Sequence, residues 1–308
     1  MGVCATTRPG LIQVKVLDLD KTLSFYKNVL GLDEVGRTSD GRVMLKCYDE
    51  FDHHSVVLRK ADSAGLDYVG FKVINKDTLE AIKGKVEKFG YKVSEVAPNT
   101  EQPGFGKQYK FTICTGHEFH LFAEVDVSPD HPGIKNPDIW NKPPRGMRPV
   151  RLDHFLLYGP GIAEAERFCC DVLGMYVPEV LNAPDGTRVG TWITGNNKPH
   201  DVAFVESPKP GQLHHIGFYL QTWEDVLNAA DLIAINHVKL DIGPTRHAIT
   251  RGLSIYCWEP SGNRIETYCG GYFSYPDVPQ RVWDAEMLGR GLQYFSGILP
   301  DSFLGVTT

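Results

Sequence analysis

Between residues 10 and 36 the chain reads GLIQVKVLDLDKTLSFYKNVLGLDEVG, where an apolar alternation gives way to Leu23, Phe25, Tyr26, Val29 and Leu30 at helical spacing. A period of two predicts a strand, and a period near 3.6 predicts an amphipathic helix. Asp18 or Asp20 supplies a helix cap and Gly31 a stop. The same order returns from Leu152 in LDHFLLYGPGIAEAERFCCDVLGMYVPEV, with VLGM at 172–175 set 143 residues beyond VLGL at 29–32. Both segments lead to an Asp-Gly hairpin signal, Asp40-Gly41 and Asp185-Gly186, and then to the strand-like runs HHSVVLRK (53–60) and HDVAFVES (200–207).

A second pair of segments follows. LDYVGFKVINKDTLEAIKGKVEKFGYKV (66–93) and QLHHIGFYLQTWEDVLNAADLIAINHVKL (212–240) each predict a strand with Gly-Phe, an acidic-capped helix and a return to strand. Gly70 and Gly217 are 147 residues apart, and FTICTGHEFHLFAE (111–124) stands to IYCWEPSGNRIETY (255–268) with Gly116 and Gly262 at an offset of 146. Offsets that stay within 143–147 at three landmarks mark a duplication. Four copies of one strand-helix-strands unit predict two tandem α+β domains. Their boundary lies in SPDHPGIKNPDIWNKPPRGMRP (128–149), whose prolines and glycines neither pair as sheet nor form a helix. This places the domains at 1–145 and 146–308. In the tail from 281, WDAEMLGRGLQYF has a helical pattern and is expected to pack back on the second domain.

Composition adds limits. With 308 residues, 42% hydrophobic and 23% charged, the chain has an ordinary globular make-up and a two-domain length. A net charge of -6 without a basic tract offers nucleic acid and anionic membrane no footprint. No run of 18 apolar residues occurs, and the N-terminal MGVCATTRPGLIQVKV lacks the apolar centre of a signal peptide, so a cytoplasmic location is expected. Seven cysteines, at 4, 47, 114, 169, 170, 257 and 269, are odd in number and contain no Cys-x-x-Cys pair. They are expected to be reduced and mostly buried.

The duplication also separates scaffold from chemistry. On its offsets His154 stands against Leu11, His215 against Tyr68 and Glu266 against His120. The second half alone carries two imidazoles and a carboxylate at three strand positions, in RLDHFLLY, QLHHIGFYL and NRIETY, which is the ligand set of a facial triad. By alternation Arg264, Glu266 and Tyr268 share one face and Ile265 and Thr267 the other. A buried ionised Glu266 needs a partner; a cation is sufficient, and an ion pair with Arg264 is the alternative. Each histidine taken singly also reads as a hydrogen-bonded core imidazole. His214 is expected on the opposite face with no role, and His53, His54, His117, His120 and His131 are expected to be structural or exposed.

The run HAITRGLSIYCWEPSGNRIE (247–266) resembles the signature of the extradiol ring-cleavage dioxygenases: His, spacer, apolar-Tyr, Asp/Glu-Pro-x-Gly and a terminal Glu. The likeness extends over nearly the whole chain and is to the catechol 2,3-dioxygenase (metapyrocatechase) type of the vicinal oxygen chelate superfamily. It implies two βαβββ modules per domain, each domain an open barrel of mixed sheet with outer helices, and no metal in the first. It further implies that His154, His215 and Glu266 bind Fe(II), with Mn(II) less favoured. By the same resemblance His200 is an acid/base, His247 hydrogen-bonds a substrate oxygen and Tyr256 donates to the ring-opening intermediate. The implied substrates are catechol or alkyl-catechols and O2, the products of 2-hydroxymuconic semialdehyde type, the context aromatic-compound degradation, and the assembly a homotetramer.

Plainer readings stand beside these. His200 also reads as a surface histidine at a strand start, His247 as a turn residue and Tyr256 as a core aromatic. Trp192, Ile249 and Phe303 are expected to shape an apolar slot for the ring. Two other classes share the modules: a glyoxalase-like isomerase or epimerase, and a binding protein that has lost its metal.

Overall fold

Alternation in the strands and helical spacing between them produce four βαβββ units in the computed structural model, which describes residues 6–140 and 142–308. The first unit holds β1 (Thr6–Val16), α1 (Leu19–Ser24) running into a π-helical turn (Phe25–Leu30), β2 (Asp33–Arg37), β3 (Val43–Lys46) and β4 (Val56–Lys60). The second holds β5 (Gly65–Val73), α2 (Lys76–Phe89), β6 (Ser94–Val96), β7 (Gln108–Thr112) and β8 (Glu118–Phe122). The third holds β9 (Arg151–Gly159), α3 (Ile162–Asp171), β10 (Tyr176–Asn182), β11 (Arg188–Thr194) and β12 (Val202–Glu206). The fourth holds β13 (Gln212–Tyr219), α4 (Trp223–Ile235), β14 (Lys239–Arg246), β15 (Gly252–Trp258) and β16 (Arg264–Gly270).

Two mixed sheets result, with strand orders β2-β3-β4-β1-β5-β8-β7-β6 and β14-β15-β16-β13-β9-β12-β11-β10, the second extended by β17 (Arg281–Asp284). In each unit the first strand runs parallel to the last, and the twin units join through their antiparallel first strands, β1 with β5 and β9 with β13. One face of each sheet carries Ile12, Val14, Phe71, Phe155 and Phe218, which pack with helix residues such as Ile82, Phe168 and Ile233 into one core spanning both halves. The other face lines the inside of each open barrel. In the first it carries Leu11, Val57, Tyr68 and Phe122; in the second, Leu156, Tyr158, Trp192 and Ala203.

The joining strands are not regular. Each pair contains bulges at equivalent places, where one strand carries an extra residue. Between the partners Leu152↔Phe218 and His154↔Gly217 the extra residue is Asp153, and between Leu213↔Leu157 and His215↔Leu156 it is His214. In the first sheet the extra residues at these places are Gly10 and Asp67, at the same offsets of 143 and 147, and β1 has one further shift between Thr6 and Arg8.

Three local expectations need correction. Asp18 caps α1 as expected, but the caps of α2 and α4 are not acidic: Asn75 accepts from the Thr78 amide, and Thr222 forms a capping box with Asp225. The acids Asp77 and Glu224 sit in the first helical turn, where the helix dipole favours them. The helical run expected at 283–295 is shorter at both ends: it is helical from Ala285 to Leu292, while Arg281–Asp284 pairs parallel with β10 and occupies that open edge. A 3₁₀ turn (Ala285–Met287) leads into α5 (Leu288–Leu292), weakened by Gly289 and Gly291, and a second short α-helix, α6 (Asp301–Gly305), follows.

Cys47, Cys169, Cys257 and Cys269 are buried, Cys114 and Cys170 partly so, and all six are free thiols. Cys4, the start of the N-terminal segment and Asn141 of the connecting stretch lie outside the described residues. Among the described residues no helix is long and apolar enough to cross a membrane.

Candidate metal centre and pocket

Adjacent strands bring the three candidate ligands together. In the register of β9, β13 and β16, His154 lies beside Gly217 and Gly217 beside Glu266, while His215 projects from β13 two residues earlier. A Cβ on Gly217 would sit 2.2–2.5 Å from the His154 ring, so the imidazole can lie over this strand only because residue 217 has no side chain. His154 Nε2 is 2.7 Å from Glu266 Oε2 and 3.2 Å from His215 Nε2, and His215 Nε2 is 3.2 Å from Glu266 Oε2. Ligands at right angles on bonds of about 2.1 Å stand about 3 Å apart, the spacing found here. All three side chains are buried, at 1%, 4% and 3% exposure.

The placement of protons makes the case for a cation. His154 Nδ1 faces Asp153 Oδ2 at 3.1 Å. Burial would raise the Asp153 carboxyl, but Lys198, His154 and Arg151 outweigh it and hold it well below the ordinary range. An ionised carboxylate only accepts, so Nδ1 carries the proton and Nε2 presents a lone pair.

His214 Nε2 lies 2.5 Å from the Phe303 carbonyl oxygen and must donate to it. Its Nδ1 then accepts from His215 Nδ1 at 2.7 Å, which leaves His215 Nε2 bare as well. Burial brings His215 down to about 4 and His214 well below the usual imidazole range, so both are neutral. Glu266 is opposed by burial but held well below the ordinary carboxyl value by His154, then His215 and His247.

Three lone-pair donors thus face one another. Without a cation a proton must intervene, and it resides on His154: burial lowers that group, but Glu266 and Asp153 outweigh burial and raise it. A divalent ion with an affinity for nitrogen and oxygen donors would take the place of that proton.

The other expected residues surround this centre. Tyr256 Oη donates to Glu266 Oε1 at 2.6 Å and lies 2.8 Å from His247 Nε2, while His247 Nδ1 meets the Leu292 carbonyl. The His200 ring is 4.2 Å from that of His154; its Nδ1 is buried without a partner. Burial, then His154 and Lys198, keeps His200 well below the usual value and therefore neutral. His200 and His247 are 8% and 5% exposed, so neither is a surface side chain, although His247 does open the connection between β14 and β15. Trp192, Ile249 and Phe303 are buried in the pocket wall with Leu156 and Leu181, beside the partly buried Leu292. Arg264 does not pair with Glu266, since its guanidinium is bound to Asp241 and to tail carbonyls.

His214 requires a correction. It lies on the same side as His215, because the bulge interrupts the alternation that assigned it to the opposite face. Asp153 escaped notice for the same reason. Their trace in the sequence is a polar residue directly before each candidate histidine ligand, in LDHF and LHHI.

A wider groove of about 630 Å³ lies beside Trp258, Lys239 and Ser302. Its carboxylate, Glu259, is used by the amides of Ser261 and Asn263 and by Thr22.

Residues 151–267 match the Glyoxalase/Bleomycin resistance protein/Dioxygenase superfamily, and residues 66–126 match the Catechol 2,3-dioxygenase-like N-terminal domain. A metapyrocatechase of Pseudomonas sp. (strain CF600) is 43% identical over 303 residues, which cover 98% of each chain. The chain belongs to the extradiol dioxygenases. The crystal structure of a 2,3-dioxygenase from Pseudomonas sp. KL28 superposes with a TM-score of 0.88 at 44% identity, covering 92% of this chain and 99% of that one. A manganese-dependent 2,3-dihydroxybiphenyl 1,2-dioxygenase of Geobacillus genomosp. 3 is 28% identical over 294 residues, 93% of this chain and 92% of that one. Extradiol dioxygenases bind a metal, and among the described residues His154, His215 and Glu266 form the group able to hold one.

Proposed function

We propose that this extradiol dioxygenase opens catechol, or an alkyl-catechol, beside its vicinal hydroxyls, both atoms of O2 entering a 2-hydroxymuconic semialdehyde-type product. The observation that carries the reading is the convergence of three bare donors at the floor of a buried apolar pocket, with His200, His247 and Tyr256 facing the same space. Residues 146–308 are the catalytic domain, and 1–145 holds no metal. In support, the first half stacks Tyr68 on His120 at 3.8 Å where the second has ligands.

His154, His215 and Glu266 hold Fe(II), which when bound supplies coordination of the catechol oxygens and O2 and a path for charge between them. Trp192, Ile249 and Phe303 pack the ring and exclude water. Tyr256 and His247 hold one substrate oxygen and stabilise negative charge on it by directed hydrogen bonds. His200, neutral and with Nδ1 unpaired, takes a proton from a substrate hydroxyl and returns it later in the reaction.

Mn(II) is the alternative ion, favoured by the manganese-dependent relative and by a donor set that accepts either metal. The assembly is a homotetramer by family resemblance, and the exposed apolar Phe273, Phe295 and Ile298 near and within the tail offer surface for self-association. The decisive test is anaerobic purification with metal quantitation, followed by O2 uptake with catechol. One metal per chain and a yellow product formed in step with O2 consumption are expected. Reduced, metal-replete protein that leaves catechol intact would contradict the proposal.

A further inference from the structure

We infer that His214 is a positioning residue through which the main-chain carbonyl of Phe303 fixes the tautomer and orientation of His215, making the C-terminal tail part of the metal site. The inference rests on reading His154, His215 and Glu266 as ligands.

The two imidazole ligands are oriented by different devices. His154 is held from within its own strand by the side chain of Asp153, the bulge residue beside it. His215 is also preceded by a bulge residue, but that residue is an imidazole, which can both accept and donate and therefore needs a further partner to fix its direction. The tail provides that partner. A carbonyl oxygen cannot donate, so the contact from Phe303 O to His214 Nε2 places the single ring proton of His214 on that nitrogen. The Nδ1 of His214 must then accept from Nδ1 of His215, and the bare Nε2 of His215 points at His154 and Glu266.

Packing holds the relay in line. The His214 ring is 1% exposed, stacks on Tyr158 at 5.1 Å and 16°, and meets the Phe303 ring edge-on at 4.9 Å. The tail carbonyl is itself anchored: Arg264, two residues before Glu266, donates to Ser302 O at 2.8 Å, Val306 O at 3.1 Å and His214 O at 3.2 Å. Ser302 and Arg264 share Asp241, and Thr308 pairs through its backbone with Leu213 at 2.8 and 3.0 Å. A segment that only covered the pocket would not need its main chain tied to the strand that carries a ligand.

The test uses the full-length chain, stripped of metal and titrated anaerobically with Co(II) against a coloured chelator. His214→Leu removes the acceptor for His215 and should weaken Co(II) binding about tenfold or more, the usual cost of losing an outer partner of a ligand. His214→Gln offers an amide oxygen to His215 and an N–H to Phe303 O, and should recover binding to within about twofold of wild type. Equal circular dichroism in the metal-free variants excludes unfolding as the cause.

An independent readout needs no variant. In ¹⁵N-histidine spectra of the Zn(II)-loaded wild type, His214 should carry its proton on Nε2 and His215 on Nδ1. Unchanged affinity in His214→Leu, equal loss in Leu and Gln, or the opposite His214 tautomer would each overturn the relay while leaving the ligand set standing. A wild-type chain that takes up no Co(II) would overturn the ligand set and the relay together.

Discussion

In the first half of the chain Leu11, Gly70 and His120 stand side by side on β1, β5 and β8; in the second, His154, Gly217 and Glu266 occupy the same register on β9, β13 and β16. Two of the irregularities also agree, with Gly10 and Asp67 bulged where Asp153 and His214 are. The difference lies in how each interior satisfies its polar groups.

In the first barrel every such group has a neighbour. His120 is bonded to Gln108 and Glu118, and Tyr68 to Gln13 and Gln102. His54, at the offset of His200, is bonded to Gln102 and His53. Lys110 and Glu101, at the offsets of Tyr256 and His247, form an ion pair of 2.6 Å. The second barrel turns three ligand-type atoms on one another and leaves one imidazole nitrogen, His200 Nδ1, without a partner. The duplicated scaffold supplies position in both halves, and the convergence of two imidazoles and a carboxylate occurs in one.

The comparison can be broken most severely at its centre. Glu266→Gln removes the anionic ligand and should lower metal content to near zero and turnover by at least about a hundredfold, whereas His120→Gln at the equivalent position should change neither. Elemental analysis beside an O2-uptake assay checks both.

Next, His200→Asn should lower turnover by about 10²–10⁴-fold with the metal retained, while its counterpart His54→Gln leaves turnover unaltered. If the first variant loses metal, His200 is a structural support and not an acid/base.

Gly217→Ala should cost about 1–3 kcal/mol and loosen the metal, since its Cβ meets the His154 ring at 2.2–2.5 Å. Gly70→Ala meets the Leu11 and Phe122 side chains at 2.9 and 3.0 Å and should destabilise without any effect on metal. Thermal melts with metal assays separate the two.

The smallest expected effect concerns pH. Burial pulls His54 to about 3 and His117 to about 4. In the unfolded chain both protonate near 6.5, so below that value the unfolded state binds more protons and stability falls. The loss runs from pH about 6.5 down through the folded values, at no more than ~1.4 kcal/mol per pH unit for each histidine. Urea midpoints at pH 7 and pH 5 should show the decline, and His54→Gln should flatten it.

Much of this architecture is legible in the chain itself. Period-two and period-3.6 patterns place the four units, the duplication pairs them, and the contrast between copies singles out His154, His215 and Glu266. What periodicity cannot carry is an extra residue, so Asp153 and His214 fall on the wrong face when strict alternation is applied across the β9–β13 bulges. Nor can it show main-chain partners: the carbonyls of Leu292 and Phe303 touch His247 and His214 whatever side chains the tail carries. The strand at Arg281–Asp284 was hidden because an open sheet edge and the bond from Trp283 Nε1 to Glu179 override a helical pattern.

The most direct measurement is anomalous diffraction from crystals loaded with Fe(II) or Mn(II) under anaerobic conditions. One peak is expected per chain, about 2.1 Å from His154 Nε2, His215 Nε2 and Glu266 Oε2 together. A peak in the first barrel, or one out of reach of any of these three atoms, would contradict the account.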